Sequence, residues 1–104
     1  MKLRHHIPTA LVLLVTCAFG AASAADIAAG KASSAVCGGC HGANGEGNGP
    51  NPPLAGMAPE RFVQAIKDYK SGKRPSAAMK SFAAPLDDKG TENLAAYYAS
   101  LKKK

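Results

Sequence analysis

Apolar and polar positions along the chain outline helices separated by breaks. Asp26 caps a predicted first helix over about residues 27–36. Its small face of Ala28, Gly30, Ala32 and Ala35 suits a close helix crossing. Residues 42–58 carry Gly42, Gly45, Gly47, Gly49, Pro50, Pro52 and Pro53 and read as an irregular loop. Pro59 and Glu60 then open a second helix, with Phe62, Ile66 and Tyr69 at i, i+4, i+7 on one face. Gly72 ends it and Lys73-Arg74-Pro75 is a break. Residues 76–84 read as a loop with a short helical turn, carrying Met79. Asp87 caps the last helix, which places Leu94, Tyr97, Tyr98 and Leu101 on one face. Lys102, Lys103 and Lys104 follow, favourable at a helix C-terminus. No strand alternation occurs, so the fold class is all-α.

The N-terminal pattern differs in kind. Met1-Lys2-Leu3-Arg4 is basic, residues 7–19 are mostly apolar but too short to span a bilayer, and Ala22-Ser23-Ala24 supplies small residues for cleavage. Residues 1–24 are therefore expected to be a cleaved secretory signal peptide, leaving one domain over 25–104. A lipoprotein leader ending at Cys17 is disfavoured, because Thr16 is a poor residue before a lipidated cysteine. No second apolar stretch follows, so the mature protein is expected to be soluble in the periplasm, without stable membrane insertion.

So short a mature chain builds only a small core, and domains of this size usually need a staple. Aromatics are sparse in it: Phe62, Tyr69, Phe82, Tyr97 and Tyr98. Of 13 lysines and arginines, Lys2 and Arg4 leave with the leader; against 7 acids the mature formal charge is +4. That is too weak to argue for nucleic acid, and the interleaved aromatics of a single-strand binder are missing. A mildly basic face for acidic protein partners is the simpler reading.

The mature chain keeps two cysteines, in Cys37-Gly38-Gly39-Cys40-His41. A structural disulfide, a thioredoxin-type redox pair and covalent haem attachment all use Cys-x-x-Cys. The thioredoxin reading needs a strand before the motif, but an alanine-rich segment stands there. A structural zinc site needs four ligands, and no further mature Cys or His exists. The histidine directly after the second cysteine favours haem c. Two thiols two residues apart reach the two vinyl groups on one porphyrin edge, and His41 then lies under the iron. Gly38 and Gly39 put no bulk between the sulfurs, and the long loop can wrap one haem edge. His5 and His6 lie in the leader, so bis-histidine ligation within one mature chain is excluded. The soft donors left for the sixth position are Met57 and Met79. Met79 is preferred: it sits 38 residues past His41 in a segment read as non-helical, where the chain can return over the opposite haem face.

With these residues in place the chain resembles the class I c-type cytochromes. Its closest likeness is to one haem domain of the bacterial diheme cytochrome c4 type. The likeness is carried by Gly30-Lys31, the Cys37–Gly42 motif, Pro52-Pro53-Leu54-Ala55-Gly56, Tyr69-Lys70-Ser71-Gly72-Lys73-Arg74, Met79 and Leu94-Ala95-Ala96-Tyr97-Tyr98. It implies three to four helices around one covalent haem, with Gly30 against the ring of Tyr97. It also implies that the Pro52 carbonyl accepts a hydrogen bond from His41, and that His41 and Met79 are the axial iron ligands. Many members carry an aromatic one turn after the glycine, where this chain has Ser34. The two-domain relatives leave room for pairing of this chain as a homodimer. Arg74 is a candidate partner for a haem propionate, and Lys67, Lys70, Lys73, Arg74, Lys80 and Lys89 are candidates for a basic ring about the exposed edge.

These readings favour a non-enzymatic electron carrier. The alternatives are a ligand-binding haem sensor or peroxidase, which needs an open iron position, and a haem subunit of a larger oxidoreductase.

Overall fold

The computed structural model describes residues 24–103. The expected leader therefore lies outside the described residues except for Ala24. Among the described residues there are five helices and no strand: α1 (Ile27–Ser33), α2 (Ala35–His41), α3 (Pro59–Ser71), α4 (Ala77–Ala83) and α5 (Asp88–Ser100). One isolated bridge joins Asn48 to Asn51 in the long loop.

The helix ends follow from local chemistry. The Asp26 side chain accepts from the Ala29 amide at 3.0 Å, and that of Asp87 from the Gly90 amide at 2.7 Å. Pro59 opens α3, and Gly72 closes it in the left-handed region at φ 81°. The long loop from Gly42 to Ala58 is irregular, as its glycines and prolines require.

Two elements differ from the sequence expectation and raise the helix number to five. The first helix does not run unbroken over residues 27–36: it is interrupted at Ser34, and its continuation extends through the cysteine motif. The Ser34 hydroxyl donates to the Lys31 carbonyl at 2.6 Å, and the Ser34 amide is shared between the carbonyls of Gly30 and Lys31. A serine that bonds back to its own helix competes with the regular ladder and bends it. The segment around Met79 is helical rather than a loop. The Ser76 side chain accepts from the Met79 amide at 3.2 Å and so caps α4. Lys102 and Lys103 also lie beyond α5, not in its last turn.

α1 crosses α5, while α3 packs on both α5 and α4. The crossing is close. A Cβ at Gly30 would stand 2.1 Å from the Asn93 carbonyl oxygen and 2.9 Å from Tyr97 Cβ. The contact is thus with the α5 backbone and the root of the tyrosine. Asn93 adds a second tie, its side-chain oxygen accepting from the Asp26 amide at 2.8 Å. The core consists of Phe62, Ile66, Ala83, Leu94, Ala95, Tyr97 and Tyr98. Tyr98 stacks obliquely on Phe62 and Tyr97, with ring centroids 5.7 and 5.2 Å away.

Gly30→Ala is expected to destabilise the fold by about 2 kcal/mol, because the obstructing atom is backbone and cannot turn aside. For a domain this small, the midpoint of thermal unfolding should fall by roughly 8–16 °C, which calorimetry would measure. A second expectation concerns pH. Burial of Tyr98 raises its pKa above the ordinary tyrosine value, with the neighbouring Cys37 adding to the rise. An unfolded tyrosine ionises near pH ~10, so the stabilisation is complete below that pH. Above it, unfolding releases a proton and stability declines. The thermal midpoint should drop steeply on the alkaline side, and less steeply in Tyr98→Phe.

Candidate functional site

Helix α2 explains the spacing of the motif. Cys37, Cys40 and His41 stand at i, i+3 and i+4 and so share one helix face. Cys37 is half-buried and Cys40 exposed, both as free thiols. Burial pushes the Cys37 thiol up, against a smaller lowering by its hydrogen bond with Tyr98. His41 is buried. Its Nδ1 lies 2.7 Å from the Pro52 carbonyl oxygen. A carbonyl has no hydrogen to give, so Nδ1 carries a proton and donates, which in the neutral ring leaves the lone pair on Nε2. That is the state in which an imidazole binds a metal.

The loop is shaped to deliver this carbonyl. The Gly47 amide donates to the His41 carbonyl at 2.6 Å, and the amides of Leu54 and Ala55 both donate to the Gly45 carbonyl. Gly47 adopts φ 77°, and a Cβ there would stand 2.7 Å from Pro53 N and 3.0 Å from the Pro52 carbonyl carbon. Only glycine lets the chain fold back this tightly.

The three motif side chains open into a cleft of about 1160 Å³. α2 reaches it from the α1 side, and α4 reaches it from the α3 side. Its lining is largely apolar and includes Phe62, Ile66, Leu54, Leu86 and Leu94. Val36 and Phe82 also line it, although 61 % and 44 % exposed. Large apolar side chains so open to solvent beside a cleft call for a covering group. The donor set and the cleft therefore fit a haem: two thiols and an imidazole line an apolar slot.

Both methionines line the cleft, Met79 from the first turn of α4 and Met57 from the end of the loop. Pro52 and Arg74 line it as well. The Arg74 guanidinium lies over the Tyr69 ring, 5.0 Å from its centroid, and its amide donates to the Asp68 carbonyl at 3.0 Å. Of the six residues considered for a basic ring, Arg74 alone lines the cleft. Lys67 and Lys70 line a separate groove of about 120 Å³ with Asp88 and Glu92. Lys70 donates to the Leu86 carbonyl, and Lys89 donates to the Ala24 carbonyl at 3.0 Å. The cleft takes other cations, Arg61 and Lys103, which helical periodicity gave no reason to single out. Lys103 gets there because the tail folds over the Gly56 turn; a Cβ on Gly56 would lie 2.5 Å from Lys103 Cγ.

Comparison with known proteins agrees with this geometry. A family model described as cytochrome c matches residues 27–102. The chain is 43 % identical over 81 residues to cytochrome c4 of Pseudomonas aeruginosa, covering 77 % of this chain and 40 % of that protein. It thus spans less than half the length of that relative. It is 38 % identical to cytochrome c-554(547) of Halothiobacillus neapolitanus, covering 76 % of this chain and all of the relative. Among solved structures, reduced recombinant cytochrome c4 from Pseudomonas stutzeri superposes with a TM-score of 0.72 at 34 % identity, over 78 % of this chain and 48 % of that one. The chain belongs to the cytochrome c family, and Cys37, Cys40 and His41 form the motif through which that family binds haem c covalently.

Proposed function

We propose that this chain is an electron carrier that relays single electrons between protein partners, with His41 and Met79 as the axial ligands of one haem c. The observation that carries the reading is the hydrogen bond from His41 Nδ1 to the Pro52 carbonyl, on the helix face that holds both cysteines. When bound, the haem supplies an iron that alternates between ferrous and ferric states. The Pro52 carbonyl fixes the His41 ring and raises its basicity. Met79 offers a thioether, a soft donor that favours the ferrous state and raises the potential. A site closed on both faces leaves no position for substrate, which suits transfer rather than catalysis.

Three further elements belong to the proposal. Residues 1–24 are an export signal, and the mature protein works in the periplasm. Among the described residues no helix is long and apolar enough to cross a membrane. Partners dock through acidic surfaces against the modest positive charge, and two copies of the chain can pair. Arg74, steadied on Tyr69, neutralises a haem propionate.

In protein recovered from the periplasm, with the mass of residues 25–104 plus one haem, Met79→Ala is expected to abolish the far-red sulfur-to-iron band. The reduced variant should bind carbon monoxide rapidly. Met57→Ala should keep the band and stay closed to carbon monoxide. The reverse pattern would move the ligand to Met57, and fast, complete binding by the unaltered protein would sink the closed carrier. Arg74→Ala is expected to lower the reduction potential, by less as salt is raised. Potentiometry at two ionic strengths reads the first effect. An unchanged potential would remove Arg74 from the site.

A further inference from the structure

The long loop holds two Asn-Gly steps, Asn44-Gly45 and Asn48-Gly49. Such a step can lose ammonia, because glycine puts no side chain in the way of its own amide nitrogen. The reaction needs a glycine amide that can shed its proton and swing onto the side-chain carbonyl carbon of the asparagine. The structure treats the two steps oppositely.

At Asn44 the glycine is pinned. The Gly45 amide donates to the Gly42 carbonyl at 3.0 Å, and the Gly45 carbonyl accepts from the amides of Leu54 and Ala55. Gly45 is buried, and a Cβ there would stand 2.8 Å from the Tyr98 ring. An amide held in this way loses its proton only when the local structure opens.

At Asn48 the glycine is free. Asn48, Gly49 and Pro50 are all exposed. Asn48 and Asn51 exchange backbone hydrogen bonds at 3.0 and 2.8 Å, but among the described residues the Gly49 amide between them makes none. A Cβ at Gly49 would meet nothing within 4 Å, so the nitrogen has room to move. The Asn51 side-chain amide donates to Asn48 Oδ1 at 3.1 Å. That donor draws electron density from Asn48 Cγ, and it sits where negative charge develops once the carbon is attacked. Asn51 cannot react in the same way, since Pro52 follows it and has no amide hydrogen.

We propose that Asn48 is a site of spontaneous deamidation assisted by the Asn51 side chain, and that the fold spares Asn44. The Gly49 nitrogen, having given its proton to base, bonds to Asn48 Cγ. The Cγ–Nδ2 bond breaks, Nδ2 takes up a proton, and ammonia leaves behind a cyclic imide. Water then adds to either imide carbonyl. Cleavage of the bond from the ring nitrogen to Cγ leaves an aspartate at residue 48. Cleavage of the other ring carbon–nitrogen bond leaves an isoaspartyl linkage, in which the main chain runs through the side-chain carbon. Either product carries one more negative charge than the asparagine did. The isoaspartyl product also takes the Asn48 carbonyl out of the main chain, and with it the acceptor of the Asn51 amide beside Pro52.

The test is peptide mass spectrometry on the protein as purified, incubated folded at mildly alkaline pH beside a denatured sample. Exchange of NH2 for OH marks each reacted asparagine, and this readout does not depend on bound haem. In the denatured sample Asn44 and Asn48 are both expected to react. In the folded protein Asn48 should react, and Asn44 should lag by about tenfold or more. Asn51→Ala keeps the backbone pair and removes the side-chain donor. Its folded rate at Asn48, relative to the same variant denatured, should fall about fivefold. Asn51→Asp, which replaces the donor by an acceptor, should slow the reaction at least as much. Equal folded rates at Asn44 and Asn48 would overturn the proposal. So would an Asn48 that stays intact while its denatured counterpart is consumed. An unchanged or faster rate in both Asn51 variants would overturn the part given to Asn51.

Discussion

The structure depends on how closely α1 can approach α5. At Gly30 the Asn93 carbonyl fills the space a side chain would need. Because α1 is held there, the bend at Ser34 sets the direction of α2. The direction of α2 decides where Cys37, Cys40 and His41 face. A backbone contact on one side of the molecule thus governs an imidazole on the other. The coupling is steric, and it needs only short rigid helices to transmit it.

The second constraint acts from the loop. Helix α2 alone would leave His41 free to rotate and to hold its proton on either nitrogen. Folding back over Gly47 brings the Pro52 carbonyl to 2.7 Å and removes both freedoms. The prolines that stop this loop from becoming a helix also stiffen the segment that carries the carbonyl. Its irregularity is therefore part of the site, which is why a loop this long survives in so small a domain.

Much of this was legible in the sequence where one residue has one dominant local effect. Asp26, Asp87, Pro59 and Gly72 mark helix ends because a carboxylate, a locked φ and a left-handed backbone each act within a turn. The Cys-x-x-Cys-His motif was legible because its spacing encodes a chemistry. The break at Ser34 was not, since its cause is a serine side chain bonding back to the Lys31 carbonyl, a choice that a serine in a sequence does not announce. Helix α4 was missed because its propensity is ordinary and its Ser76 cap looks like any loop serine. The lysines considered for a basic ring are a different case. Lysine charge is visible in a sequence, but whether an ammonium group faces the cleft or ties down a carbonyl, as Lys70 and Lys89 do, is settled only by packing.

The core shows why attachment in this chain is covalent. Three of its enclosed apolar residues are alanines, Ala55, Ala83 and Ala95, which contribute little burial. Phe62, Ile66 and Leu94 are buried on one side, yet they also line the cleft. Val36 and Phe82 gain a cover only from what fills it. The cofactor is thus the missing half of the hydrophobic core, and a group that binds the native state stabilises it by mass action. Noncovalent binding would make that stabilisation depend on free cofactor concentration. Two thioethers remove the dependence, so the cofactor behaves as a permanent side chain of α2. A domain this small can then dispense with a larger core and leave most of its remaining surface to polar residues.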